Sequence, residues 1–122
     1  MESKKDFLVD LQDTAAVMGS GGLAVLATPR LVAMVENTCW EALEPTLDKG
    51  FTTVGTKFSI DHLKPSPVGA TITVFVQWEK EQGFQFDYQV TDGSQQLIAK
   101  GTHQRAAVEI SRFMKKVNEK QS

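Results

Sequence analysis

Glu36 is the residue whose type and place most invite chemistry. It lies within residues 28–45, Thr-Pro-Arg-Leu-Val-Ala-Met-Val-Glu-Asn-Thr-Cys-Trp-Glu-Ala-Leu-Glu-Pro. Projected at about 100° per residue, Leu31, Val32, Val35, Cys39, Ala42 and Leu43 fall on one apolar arc. Asn37, Glu41 and Glu44 fall opposite. Glu36 projects at the margin of the arc, between Leu43 and Trp40. A carboxylate there loses hydration and gains as a proton acceptor. The ordinary alternative is a packed stem whose head reaches water. Thr28 and Pro29 read as helix N-cap and first helical residue. That reading puts a hydroxyl at the positive end of the helix dipole. His62 closes a run of period two in which Val54, Thr56, Phe58, Ile60 and His62 share one face. It titrates near neutrality, although a lone histidine on such a face more often packs than reacts. Cys39, on the apolar arc, reads as a small buried hydrophobe and not as a nucleophile.

These residues need a scaffold, and the pattern supplies one. Pro45 closes a long amphipathic helix with a wide apolar face. Strands are expected over 5–11, 54–63, Thr71–Trp78, 84–90 and 97–110. On the last, Ile98, Ala106, Val108 and Ile110 share one face, and His103 and Arg105 the other. The two prolines of 64–69 break the chain between strands, and Asp92-Gly93 signals a hairpin. Residues 15–18 read as a turn or short strand. Gly19, Gly21 and Gly22 then permit positive φ, without the Gly-Lys-Ser/Thr of a phosphate loop. From residue 113 onward a short helix or tail is expected. The simplest packing is α+β, a curved antiparallel sheet laid around one long helix, as a single domain over 1–122.

Composition narrows the function. Of 122 residues, 41% are hydrophobic, enough for a core, and the net charge is −2. A nucleic-acid surface normally needs clustered positive charge, so no nucleic-acid partner is expected. The short run Lys115-Lys116 with Arg112 reads as solvated helix or tail. One cysteine forms no internal disulfide. No apolar run approaches about 18 residues, so no membrane span is expected. A soluble, cytoplasmic protein follows as the expectation, with no cofactor and no metal.

The order of elements and certain short motifs resemble the hot-dog fold, and within it the fluoroacetyl-coenzyme A thioesterase family. The motifs are Leu26-Ala27-Thr28, Met34-Val35-Glu36, Thr53-Val54-Gly55-Thr56, His62 followed by Pro65-Ser66-Pro67-Val68-Gly69, and Gly101-Thr102-His103-Gln104-Arg105. The resemblance covers roughly residues 20 to 115. It implies that Thr28, Glu36 and His62 are catalytic, that Gly55 lines the site, and that Arg105 binds substrate. It implies hydrolysis of a short acyl-CoA thioester by a homodimer with sites at the subunit interface; higher assembly stays open. The family's fluoroacetyl specialist carries phenylalanines before its threonine. Here residues 18–22 hold no aromatic, which leaves the acyl group open.

On that reading, Glu36 activates water or forms an anhydride. Thr28 attacks or orients substrate, His62 serves as acid or base, and the Gly55 amide approaches the thioester carbonyl. Thr28 and Glu36 are eight residues apart, roughly 12 Å along a helix axis, so a shared site draws one from each subunit. Two other functions fit the fold: a hydroxyacyl-thioester dehydratase, and a non-catalytic acyl-CoA-binding protein.

Overall fold

The computed structural model describes residues 1–121. Five strands form one antiparallel sheet: β1 (Glu2–Leu8), β2 (Phe51–His62), β3 (Thr71–Trp78), β4 (Phe84–Thr91) and β5 (Leu97–Glu109). Their order across the sheet is β1-β3-β4-β5-β2. Helix α1 (Ala15–Met18) is one turn, α2 (Thr28–Leu43) packs on the sheet, and α3 (Ile110–Gln121) follows β5. Among the described residues no helix is long and apolar enough to cross a membrane.

The buried face of α2 is Leu31, Met34, Val35, Thr38, Cys39 and Leu43. It is turned slightly from the expected arc. Val32 and Ala42 are only half-buried, and Met34 and Thr38 take the core places. Thr38 is admitted because its hydroxyl donates to the Met34 carbonyl at 2.9 Å. Against this face lie Ile72, Val74 and Val76 of β3, and Phe86, Tyr88 and Val90 of β4. Each fully buried aliphatic or aromatic side chain contributes roughly 1.5–3 kcal/mol.

Strand β1 begins three residues earlier than the expected 5–11, pairing from Glu2↔Gln77 to Leu8↔Thr71. Its charged residues are carried because Lys5 reaches over the helix, donating to Asn37 at 2.7 Å and Glu41 at 2.8 Å. Residues 15–18 are helical and not extended. The Thr14 hydroxyl accepts from the Val17 amide at 3.4 Å, and Gly19 closes the turn at φ 83°. The β4–β5 connection is longer than a two-residue hairpin. The Asp92 carboxylate accepts from the Ser94 and Gln96 amides, and Gln95, not Gly93, takes positive φ at 61°.

The largest departure is in β2. Gly55 pairs with Arg105, but Lys57 pairs with Gln104, so Thr56 is an extra, bulged residue. Its hydroxyl donates to the Gln104 carbonyl at 3.1 Å. Before the bulge Thr53 and Gly55 face the helix; after it Phe58, Ile60 and His62 do. Val54 and Thr56 therefore do not share His62's face, because the bulge reverses the alternation. On β5, His103 and Arg105 share a face as expected, and that face is the buried one, at 2% and 9% exposure.

Gly101 on β5 sits where strands close on each other. A methyl there would overlap the Ser59 carbonyl oxygen and crowd the Tyr88 hydroxyl, which donates to that carbonyl at 2.7 Å. Backbone cannot yield as a flexible side chain can. Gly101→Ala is predicted to destabilise the fold by about 3 kcal/mol or more, read by urea denaturation; a loss under about 1 kcal/mol would contradict this packing.

Candidate active site

The first cluster lies at the start of α2. Ala27, with φ −70° and ψ 138°, is the N-cap and makes no side-chain cap bond. Thr28 is already helical, so the expected capping role falls away. Its hydroxyl instead lies 2.8 Å from His62 Nδ1, at the end of β2. Leu31 makes the first α-helical bond, to the Ala27 carbonyl at 3.0 Å. The Thr28 and Arg30 amides thus lie outside the helix's own bonding, at its positive end. Beside the pair is a cavity of about 300 Å³ lined by Leu26, Ala27, Thr28, His62 and Lys64 among others.

Burial lowers the His62 pKa, opposed by the Lys64 backbone, which favours the protonated ring. The ring is thus neutral at ordinary pH. Its Nε2 is buried without a hydrogen bond. With the ring proton on Nε2, Nδ1 is free to accept the Thr28 proton, the geometry of a hydroxyl beside its base.

The second cluster lies deeper along the helix. Arg105 is fixed by three hydrogen bonds: Nε donates to Thr53 Oγ1 at 2.8 Å, Nη2 to the Thr53 carbonyl at 2.9 Å, and Nη1 to His103 Nε2 at 3.1 Å. The same Nη1 lies 3.9 Å from Glu36 Oε2, an ion pair beyond hydrogen-bond reach. Arg105's side chain is 7% exposed and that of Glu36 41%. Burial lowers the Arg105 pKa, and the Glu36 charge opposes that. Glu36 thus keeps one side on water, the margin position that its helical projection predicts. One turn on, burial pushes the Cys39 thiol up to about 12, so it stays protonated and packs as a hydrophobe.

Gly55 is where this cluster converges. A Cβ there would meet Glu36 Oε2 at 2.8 Å, His103 Cε1 at 3.2 Å and Arg105 Nη1 at 3.5 Å. The missing side chain is the space the carboxylate occupies.

The structure thus brings Thr28 to His62, and Glu36 to Gly55 and Arg105. It does not bring the two groups together within one chain, since α2 separates them by roughly 12 Å. His103 was not singled out from the sequence. Its signal was the two-residue spacing to Arg105 on one strand face.

Because Glu36 is the flexible end of its contact with Gly55, a methyl there displaces the carboxylate and leaves the backbone in place. Gly55→Ala is predicted to lower turnover on the order of tenfold to a hundredfold while costing at most about 1 kcal/mol of stability. Paired kinetics and melting curves check this; parent-like turnover would show that the Glu36 position is not critical.

The comparisons with known proteins agree with one another. Residues 9–111 match the family described as FlK, fluoroacetyl-CoA-specific thioesterase. The fluoroacetyl-CoA thioesterase of Streptantibioticus cattleyicolor is 33% identical over 98 residues, which cover 79% of this chain and 70% of that protein. A solved structure of the fluoroacetyl-CoA thioesterase FlK superposes with a TM-score of 0.88 at 26% identity, covering 98% of this chain and 94% of that one. A hot-dog-like protein from Thermanaerovibrio acidaminovorans, 22% identical, superposes with a TM-score of 0.86, covering 100% of this chain and 91% of that one, and shares the fold. With the helix, the sheet order and these matches in agreement, the chain belongs to the fluoroacetyl-CoA-specific thioesterase family of the hot-dog fold.

Proposed function

We propose that this chain is an acyl-CoA thioesterase that splits a short acyl-CoA into the free acid and CoA at sites shared between two subunits. Thioester hydrolase chemistry follows from the family. The observation that carries the site is the 2.8 Å contact between the Thr28 hydroxyl and His62 Nδ1 at the mouth of a cavity. In the reaction, the Thr28 oxygen attacks the thioester carbonyl as His62 takes its proton. Free amides at the start of α2 offset the charge on the carbonyl oxygen. The C–S bond breaks, and the His62 proton passes to the CoA sulfur. Water then attacks the threonine ester, giving up its proton to Glu36 of the partner subunit; the C–O bond to Thr28 breaks, the acid leaves, and the proton held by Glu36 passes to the Thr28 oxygen.

A homodimer supports this division of labour. Within one chain the Thr28–His62 pair and Glu36 lie too far apart to act on one atom, with eight residues of α2, roughly 12 Å, between Thr28 and Glu36. Strand β2 ends the sheet and offers its outer edge. The twelve-residue length of that edge suits pairing with a second copy. Light scattering at micromolar concentration is expected to give twice the chain mass; a monomer would overturn the shared site.

The reaction itself is tested with a panel of short acyl-CoA substrates and a free-thiol readout. Release of CoA supports the proposal. Binding without release would identify a sensor, and hydration of crotonyl-CoA without CoA release a dehydratase. Glu36→Gln keeps the shape and removes the base, and is predicted to lower turnover by about 10² or more with the fold intact. His62 acts as a neutral base and its pKa is lowered from 6.5. Activity should therefore hold at neutral pH and fall on acidification below that value, and His62→Asn should abolish both the rate and that acid limb. A folded His62→Asn protein with the parent's rate and pH profile would return His62 to the core.

A further inference from the structure

His103 has no part in the reaction just described, yet it is 2% exposed and sits against the charged cluster. Its ring packs between Phe58 of β2, centroids 5.0 Å apart, and Phe86 of β4, 6.4 Å apart. Its two nitrogens are both engaged. Nδ1 lies 2.8 Å from the Lys57 carbonyl oxygen, and Nε2 lies 3.1 Å from Arg105 Nη1. A carbonyl oxygen only accepts and a guanidinium only donates. The proton must therefore be on Nδ1, with Nε2 bare. The opposite tautomer would set two N–H groups against each other and two lone pairs against each other. An imidazolium would set a second cation against Arg105.

We propose that His103 is a positioning residue: as a neutral ring protonated on Nδ1, it holds the Nη1 edge of Arg105 beside Glu36 and Gly55. This rests on the reading of Glu36 as the base. Thr53 alone fixes the other side of the guanidinium, through Nε and Nη2. His103 fixes the side nearest the carboxylate, and one Nη1 hydrogen is left over on that edge. The β2 bulge contributes, since Lys57 is the residue at which pairing resumes. Burial, with Arg105 adding to it, lowers the ring's pKa against the Lys57 carbonyl and Glu36. The charged groups facing the ring are Arg105 on its own strand and Glu36 on α2; β2 and β4 offer it a backbone carbonyl and aromatic rings.

Two variants separate positioning from packing. His103→Asn keeps an N–H near the Nδ1 place and removes the acceptor for Arg105. His103→Gln carries an oxygen to about the Nε2 place and loses the bond to Lys57. Both should melt earlier than the parent. On a short acyl-CoA that the parent hydrolyses, kcat of His103→Asn should fall about tenfold or more at nearly constant KM, and His103→Gln should recover most of it. If both keep the parent's kcat, or lose it in step with their melting temperatures, His103 is only a core residue. Nitrogen NMR of the parent gives an independent reading that needs no turnover. At neutral pH the ring should be uncharged with its proton on Nδ1, and an Nε2–H ring would overturn the proposal. A parent that releases no CoA from any substrate would count against the proposed reaction, while the ring's proton position would still decide His103.

Discussion

Strand β2 must turn both Gly55 and His62 toward the helix, and an unbroken strand cannot do this. Successive side chains alternate faces, so an odd-numbered and an even-numbered residue point oppositely. The extra residue at Thr56 resolves the conflict by restarting the alternation. Upstream of it, Thr53 anchors Arg105 and Gly55 makes room for Glu36. Downstream, Phe58 packs on His103 and His62 reaches Thr28. One inserted residue thus allows a single strand to serve both clusters.

The clusters differ in electrostatic character. At the helix start a neutral histidine meets a hydroxyl, with free amides and the dipole beside them, which suits a charge that develops during reaction. Further along, a buried guanidinium stands 3.9 Å from a half-exposed carboxylate. The gap matters: a closer, bidentate pair would hold Glu36 against Arg105 and engage the lone pairs that the proposed base uses. The guanidinium's three hydrogen bonds to Thr53 and His103 keep it from closing that gap.

Much of this was legible in the sequence. The long helix between Pro29 and Pro45, the strand Thr71–Trp78 and the alternation through Phe84, Phe86, Tyr88 and Val90 all stand as read, because periodicity and proline act locally. What escaped was non-local. The Thr56 bulge depends on the register against β5, and no residue type announces it. Thr28 read as a cap because Thr-Pro is a common helix opening, whereas its hydroxyl is drawn to a histidine 34 residues away. Asp92-Gly93 marked the right turn but not its length, since Asp92 uses its carboxylate to brace a wider loop. The family motifs carried Glu36, Gly55 and Arg105 together. They did not reveal the role of His103, which follows only from the positions of its two nitrogens.

The central claim is that each site takes Thr28 and His62 from one subunit and Glu36 from the other. Subunit mixing tests it directly. Thr28→Ala and Glu36→Gln proteins, each inactive alone, are combined, dissociated and allowed to reassociate. In a mixed dimer one site receives both substitutions and the other receives neither. Random pairing should therefore restore about a quarter of the parent's activity. A mixture that forms mixed dimers, shown by mass, yet stays as inactive as its components would contradict the shared site and place the whole reaction within one chain.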